Sequence, residues 1–245
     1  MRKFVDLHLY LKEGVDQSKE ILSKAAELGY HFVGVAPPPN AKQEEIQYLW
    51  NLSKAEGLDL ITRVDLTPKK PKELLLDLRR LRRRFEVICV HCTSKAIARQ
   101  AAKDRRVDLL SFSPTDPRRR FFDSAEAELA SKSLAALEID MAPLLILTGF
   151  KRIYLLSHLK REVFIAKKFG VPIVLSSGAS ENYLMRNPRD YAALTYLFGM
   201  NQESALCSIS DEPLRIIERN RKKLSANYVA PGVYIVRRKG DCYDV

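Results

Sequence analysis

The strongest constraint on this chain is an alternation kept up along nearly its whole length: a short apolar β-type run, then a longer stretch with helical periodicity. The β-type runs fall at 4–9, 31–36, 58–66, 86–92, 108–112, 135–140 and 172–176, with a weaker eighth at 205–209. Helical stretches fill the gaps at 17–28, 41–56, 71–85, 94–105, 124–133, 153–169, 188–197 and 212–224. Strands joined by helical crossovers run parallel, because each helix returns the chain to the same end of the sheet. About eight such units in 245 residues suit a closed α/β barrel, which typically takes ~250 residues, better than an open sheet. Gly29 and Gly170 stand where helices should stop, and Pro71 and Pro188 where helices should start. One barrel domain is expected over 1–226, followed by a basic strand or arm over 227–245.

With 46% hydrophobic residues the chain can bury a sizeable core. No apolar run approaches the ~20 residues that span a bilayer, and the N-terminus lacks the apolar stretch of a secretory signal, so a cytoplasmic protein is expected. Four cysteines make no disulfide framework. Cys89 and Cys92, in VICVHCTS, offer half a zinc site with no second half to complete it, so buried thiols are expected there.

The net charge of +11 is unevenly placed. Residues 1–62 carry 7 basic and 9 acidic groups, residues 63–120 carry 17 and 7, and residues 121–245 carry 17 and 14. The excess therefore sits in the middle segment, and a one-sided positive field points to a polyanionic partner. The third helix is its centre. Leu74, Leu75, Leu78, Leu81 and Phe85 form an apolar stripe for the sheet, which sends Arg79, Arg80, Arg83 and Arg84 to the opposite side, with Arg82 at the flank. Like charges at successive turns repel, and the guanidinium fork matches phosphate oxygens, so a cluster awaiting phosphates is the better account. Arg118, Arg119 and Arg120 form a second cluster beside Phe121 and Phe122, where a basic loop could contact an RNA backbone or simply be anchored by its aromatics. Basic runs elsewhere, including Arg219, Arg221, Lys222 and Lys223, read as ordinary helix surface.

The first strand raises the enzyme alternative. Side chains alternate along a strand, so with Val5, Leu7 and Leu9 facing the helices, Asp6, His8 and Tyr10 should face the barrel interior. The same parity sends Arg63, Asp65, His91, Glu138 and Asp140 inward or to the rim. Asp6, His8, His91, Glu138 and Asp140 could form a metal cluster, or a set of internal ion pairs and hydrogen bonds with Arg63. The D-L-H-L-Y segment resembles the first motif of PHP-type metallophosphoesterases, but Tyr10 replaces that motif's second histidine and the chain has only 4 histidines. A phosphosugar barrel, with Ser176 to Gly178 as its phosphate loop, is a further alternative.

The ordered segments VDLLSFSP, ALEIDMAPLL, VPIVLSSGASENYLMRNPRDYAALTYLFGM and ISDEPLRIIERNRKKL, with the D-L-H start, resemble a ribonuclease P protein family over residues 4–224. That family is called component three in archaea and the thirty-kilodalton subunit in eukaryotes. The resemblance implies a TIM-like α/β barrel related to PHP phosphoesterases but without their metal site. It implies ribonuclease P RNA as partner, precursor tRNA indirectly, other ribonuclease P proteins, and a Pop-five-type subunit in a heterodimer or heterotetramer. RNA then removes the 5′ leader, and this chain carries no catalytic residue and no cofactor. The residues expected to meet RNA are Arg79, Arg80, Arg83 and Arg84, then Arg118, Arg119, Arg120 and Arg186, with Ser176, Ser177 and Gly178 able to bind phosphate or merely close the barrel.

Overall fold

Seven parallel strands in chain order make the wall of a barrel: β1 (Phe4–Leu9), β2 (Tyr30–Val35), β3 (Asp59–Leu66), β4 (Val87–His91), β5 (Leu109–Ser111), β6 (Ala136–Asp140) and β7 (Ile173–Ser176). The computed structural model describes residues 2–11, 15–37, 42–116, 119–230 and 232–236. Helices α1 (Val15–Glu27), α2 (Gln43–Ala55), α3 (Pro71–Leu81), α4 (Lys95–Lys103) and α5 (Ser124–Ser133) follow the first five strands. The short α6 (Ala142–Ile146) and the long α7 (Gly149–Phe169) lie between β6 and β7. After β7 come α8 (Pro188–Leu194), α9 (Gln202–Ser208) and α10 (Asp211–Leu224), then a small antiparallel hairpin of β8 (Tyr228–Ala230) and β9 (Val233–Tyr234). Among the described residues no helix is long and apolar enough to cross a membrane.

The eighth expected strand is a helix. Asn201 caps α9 by accepting from the Ser204 amide, and the Ser208 and Ser210 hydroxyls fold back onto carbonyls four residues earlier. These local bonds favour helix over a lone apolar run. The seam between β7 and β1 closes without an eighth strand. Asp6 accepts from the Ser177 amide at 2.9 Å, Gly178 donates to the His8 carbonyl at 3.0 Å, and Tyr10 donates to Ala179 at 2.9 Å. Helix α10 seals the bottom instead: Ile216 and Ile217 join Val5, Leu7, Ile61, Val87, Leu109, Ala136 and Val174 inside the barrel. A second core lies between the sheet and the helices; there Leu74, Leu78, Leu81 and Phe85 are wholly buried, while Leu75 leaves the stripe at 38% exposure.

One irregularity sets the site. Asp6 pairs with Val33 and Leu9 with Val35, so Leu7 and His8 together face Gly34. This bulge lets two consecutive residues point inward. The extra residue crowds its neighbour: a Cβ on Gly34 would sit 2.3 Å from the Leu7 carbonyl oxygen, a backbone atom that has no room to yield. Gly34→Ala is therefore expected to cost about 3 kcal/mol, as overpacking does. Urea denaturation checks this, and an unshifted midpoint would place the Leu7 carbonyl elsewhere.

Candidate functional site

Above the apolar floor the barrel interior is ionic. Arg63 of β3 is completely buried and grips both oxygens of Glu138 on β6, at 2.5 and 2.7 Å. It also donates to Asp65 at 2.6 Å and to the bulged Leu7 carbonyl at 2.9 Å. Glu138 takes further bonds from Ser176 at 2.8 Å and Cys89 at 3.3 Å. His8 lies between two carboxylates. Its Nδ1 is 2.9 Å from Asp140, and its Nε2 is 3.2 Å from Asp65, in ion-pair range though without hydrogen-bond alignment. His91 reaches the same Asp65 oxygen at 3.7 Å. Gly178, at φ +59°, passes so close to Asp140 that a Cβ there would lie 2.8 Å from the aspartate's own. Glycine at that turn thus keeps Asp140 on His8.

These contacts fix the charge states. Burial pushes the Asp65 and Glu138 carboxyls up, but the Arg63 charge outweighs it and holds both below the usual carboxylate range. Burial and Arg63 both work against a charged His8, yet Asp140 and Asp65 win and raise its pKa to about 10. His8 is an imidazolium at neutral pH. His8, Glu138 and Asp140 each place a ligand atom within 4.8 Å of the others, close enough for an ion. They do not fit one. Both Glu138 oxygens are committed to Arg63, whose guanidinium already stands in the space, and His8 Nδ1 is taken by Asp140.

Asp6 does not belong to this cluster, against expectation. Val5 and Leu7 take the inner face, so Asp6 points to the helix side, where Tyr30 and Tyr191 are its neighbours. Burial raises its pKa to about 6 against the hydrogen bonds from Ser177. The cysteine pair is divided too: Cys89 faces inward to Glu138, and Cys92 faces outward to its own strand's carbonyl. Residues three apart on a strand lie on opposite faces and cannot chelate together.

The expected phosphate contacts fare unequally. Helix α3 ends at Leu81, so Arg79 and Arg80 lie in its last turn and Arg82, Arg83 and Arg84 in the turn that follows. Arg79, Arg80, Arg83 and Arg84 are exposed. Arg80 meets Asp77 at 3.3 Å, an exposed pair that neutralises little, and Arg84 lies over the Phe85 ring at 5.8 Å. Arg82 turns inward to Asp108 and to the carbonyls of Phe85 and Glu86. Arg119 stays 58% exposed beside Asp116, and Arg118 lies outside the described residues. Arg120, Ser176 and Ser177 need correction, because all three are buried and engaged. Arg120 pairs with Glu162 and donates to the Phe112 and Ser113 carbonyls, Ser176 serves Glu138, and Ser177 holds β1. Gly178 spends its amide on His8, and Arg186 spends hydrogen bonds on the Tyr183 and Met185 carbonyls.

Topology divides the exposed arginines. The α3 group sits where helices hand over to the N-terminal ends of strands, the bottom of the barrel. Arg119 lies in the loop leaving β5, at the top, whereas the half-buried Arg186 lies farther along the segment after β7: its carbonyl accepts from Tyr30 at the start of β2, and the next residue, Asn187, donates to the Leu28 carbonyl just past α1. Sequence reading missed Arg105 and Arg106, which follow α4, and took Lys223 in the last turn of α10 for ordinary helix surface; all three lie at that same bottom face. The available signal was positional: helix C-termini of a βα barrel all gather at one pole, so basic helix ends far apart in sequence converge there.

A family model for RNase P subunit p30 matches residues 3–225. The chain belongs to the RNase P subunit p30 family. Ribonuclease P protein component 3 of Methanococcoides burtonii is 30% identical over 235 residues, covering 96% of this chain and 94% of that protein. A chain from the cryo-EM structure of archaeal ribonuclease P with mature tRNA superposes with a TM-score of 0.84 at 22% identity, covering 96% of this chain and 99% of that one. Aspergillus niger ochratoxinase shares the barrel alone, with a TM-score of 0.57 at 12% identity over 87% of this chain and 71% of that one. This chain thus shares the barrel fold with ochratoxinase and fills its own interior with Arg63.

Proposed function

We propose that this p30-family chain acts within a cytoplasmic ribonucleoprotein as a non-catalytic subunit, binding ribonuclease P RNA while that RNA removes the 5′ leader of precursor tRNA. The observation that carries the reading is the separation of charge. Inside the barrel every acidic group of the Arg63 network has a cationic partner, whereas at the bottom face Asp59, Glu86, Asp104 and Asp108 are taken by Arg221, Arg106, Arg82 and Arg219, which leaves Arg79, Arg83 and Arg105 exposed without an ion pair among the described residues. Arg79, Arg80, Arg83 and Arg84 supply the main phosphate contacts, and Arg119 at the opposite rim and the half-buried Arg186 supply lesser ones. A Pop-five-type subunit is the protein partner, in a heterodimer or heterotetramer. What supports a protein partner is α7, whose exposed Phe150, Ile153 and Tyr154 cluster in its first turns, with Phe164 exposed on the same face three turns on, without a covering element among the described residues.

Salt dependence tests the RNA reading. Each phosphate contact contributes about 0.9 to the slope of log K against log salt on a duplex. Replacing Arg79, Arg80, Arg83 and Arg84 with alanine is expected to weaken binding to ribonuclease P RNA about 100-fold at ~100 mM salt and to flatten that slope by roughly 3.6. Filter binding across a salt series measures both, and an unchanged slope would remove these arginines from the interface.

A further inference from the structure

The bottom face holds a cavity of about 370 Å³ lined by Arg82, Arg83, Arg105, Arg106, Lys223 and Tyr228. That volume lies at the small end of the ~300–1,000 Å³ range of ligand sites and suits one nucleotide. Its charge is unbalanced. Asp108, the buried carboxylate beneath it, serves Arg82 at 2.5 Å and Arg219 at 2.8 Å together. Arg106 is matched by Asp104 at 2.7 Å. Arg83, Arg105 and Lys223 have no ion pair among the described residues. Partial burial, together with the charges of Arg219, Arg82 and Arg105, pulls the Lys223 pKa down despite Asp108. The cluster thus stands in want of an anion.

One wall is aromatic. Tyr228 opens β8, and its ring meets Tyr234 edge to face at 5.9 Å between centroids. The hairpin is anchored by the bonds from Tyr228 to Ser225 and from Ile235 to Asn227, at 3.1 and 2.8 Å. A half-buried ring beside guanidinium forks is the pairing that single-stranded RNA uses, with phosphate on the cations and base on the ring. An acidic peptide would satisfy the cations but leave the ring without a purpose. Tyr228 also lies beyond residues 3–225 matched by the family model.

We propose that this cavity binds one nucleotide of single-stranded RNA, its phosphodiester between Arg83, Arg105 and Lys223 and its base stacked on Tyr228. The proposal rests on the RNA-binding reading above and says where one residue of that RNA is held. The hairpin then has a purpose: it carries the stacking ring to a phosphate site built by α3, α4 and α10.

The test uses the full-length chain and two probes, a fluorescein-labelled uridine pentanucleotide and ribonuclease P RNA. For the pentanucleotide, Arg105→Ala with Lys223→Ala is expected to weaken binding at least tenfold and to lower the salt slope by about 1.4, at ~0.7 per lost contact on a single strand. Tyr228→Leu is expected to weaken it about tenfold with an unchanged salt slope, because stacking releases no counterion, and Tyr228→Phe to bind as the unmodified chain does. Arg79→Ala with Arg80→Ala is expected to leave pentanucleotide binding within twofold while weakening ribonuclease P RNA. All these side chains are exposed or half-buried, and matching melting curves confirm the fold. The proposal is overturned if the unmodified chain ignores the pentanucleotide, if the Arg105/Lys223 and Tyr228→Leu variants bind it undiminished, or if inorganic phosphate binds the cavity while the pentanucleotide does not. In each of those cases a continued loss of ribonuclease P RNA by the Arg79/Arg80 variant leaves the wider reading standing. If no variant affects either RNA, both fall.

Discussion

Arg63→Met is expected to destabilise the protein by about 3–5 kcal/mol at neutral pH, the range for breaking a buried ion pair from one side. Methionine fills much of the same volume, so the loss is mainly one of charge. Glu138 and Asp65 keep their positions but lose the cation that holds their carboxyls below the ordinary range. In the unmodified protein their depressed pKa values contribute stability above the unfolded values of about 4, which is lost as pH falls through the folded ones. In the variant burial dominates and both carboxyls rise, so the folded state is penalised wherever the unfolded chain would ionise them. The deficit should therefore be largest at pH 7 and shrink as pH falls towards 4. Urea denaturation at several pH values measures it; a deficit that does not change with pH would mean that Arg63 acts by packing alone. Adding Glu138→Gln should recover part of the loss, because the uncompensated charge goes with it. RNA affinity of the folded variant should be unchanged, since Arg63 lies inside the barrel and the exposed arginines outside.

Alkaline pH should act on the same network through His8. Its folded pKa of about 10 stands above the ordinary imidazole value of 6.5. A raised value means that the protonated ring stabilises the fold: the contribution is complete below pH 6.5 and is lost as pH climbs through about 10. Over that window the loss approaches 5 kcal/mol, on the order of 1.4 kcal/mol per pKa unit. Asp6 titrates in a different range. Its pKa, raised by burial to about 6, favours the fold while the carboxyl is protonated, and that contribution disappears between the ordinary carboxylate value and pH 6. Stability measured between pH 7 and about 8 thus reports His8 rather than Asp6, before the buried Cys89 and Cys92 thiols, also pushed up by burial, add to the slope. His8→Gln should be less stable at pH 7 and should lose most of the alkaline slope that the unmodified protein shows. Identical slopes in the two proteins would mean that His8 is neutral, with Asp140 and Asp65 satisfied by other means.

The division between what was legible and what was not follows the range of the interactions. The βα alternation, the helix stripe of Leu74, Leu78 and Leu81, and the charge excess in residues 63–120 are local patterns, and each survives into the fold because a strand or helix has a fixed repeat. The parity of Arg63, Asp65, Glu138 and Asp140 was readable for the same reason. It failed in the first strand because one extra residue opposite Gly34 shifts the phase, turning Asp6 outward while keeping His8 inside. Nothing within D-L-H-L-Y announces a bulge; it shows only against β2. Arg120 looked like its exposed neighbour Arg119 until Glu162, 42 residues on, took its guanidinium inside. The expected strand at 205–209 gave way to caps that offered its backbone nearer partners. Sequence by itself determined the barrel, the family and the basic character of the chain, because periodicity, motif order and charge are all properties of neighbours. Only the tertiary structure decided which cations are spent on buried carboxylates and which remain at the barrel's bottom, because a charge is neutralised by whatever lies within a few ångströms, however distant along the chain.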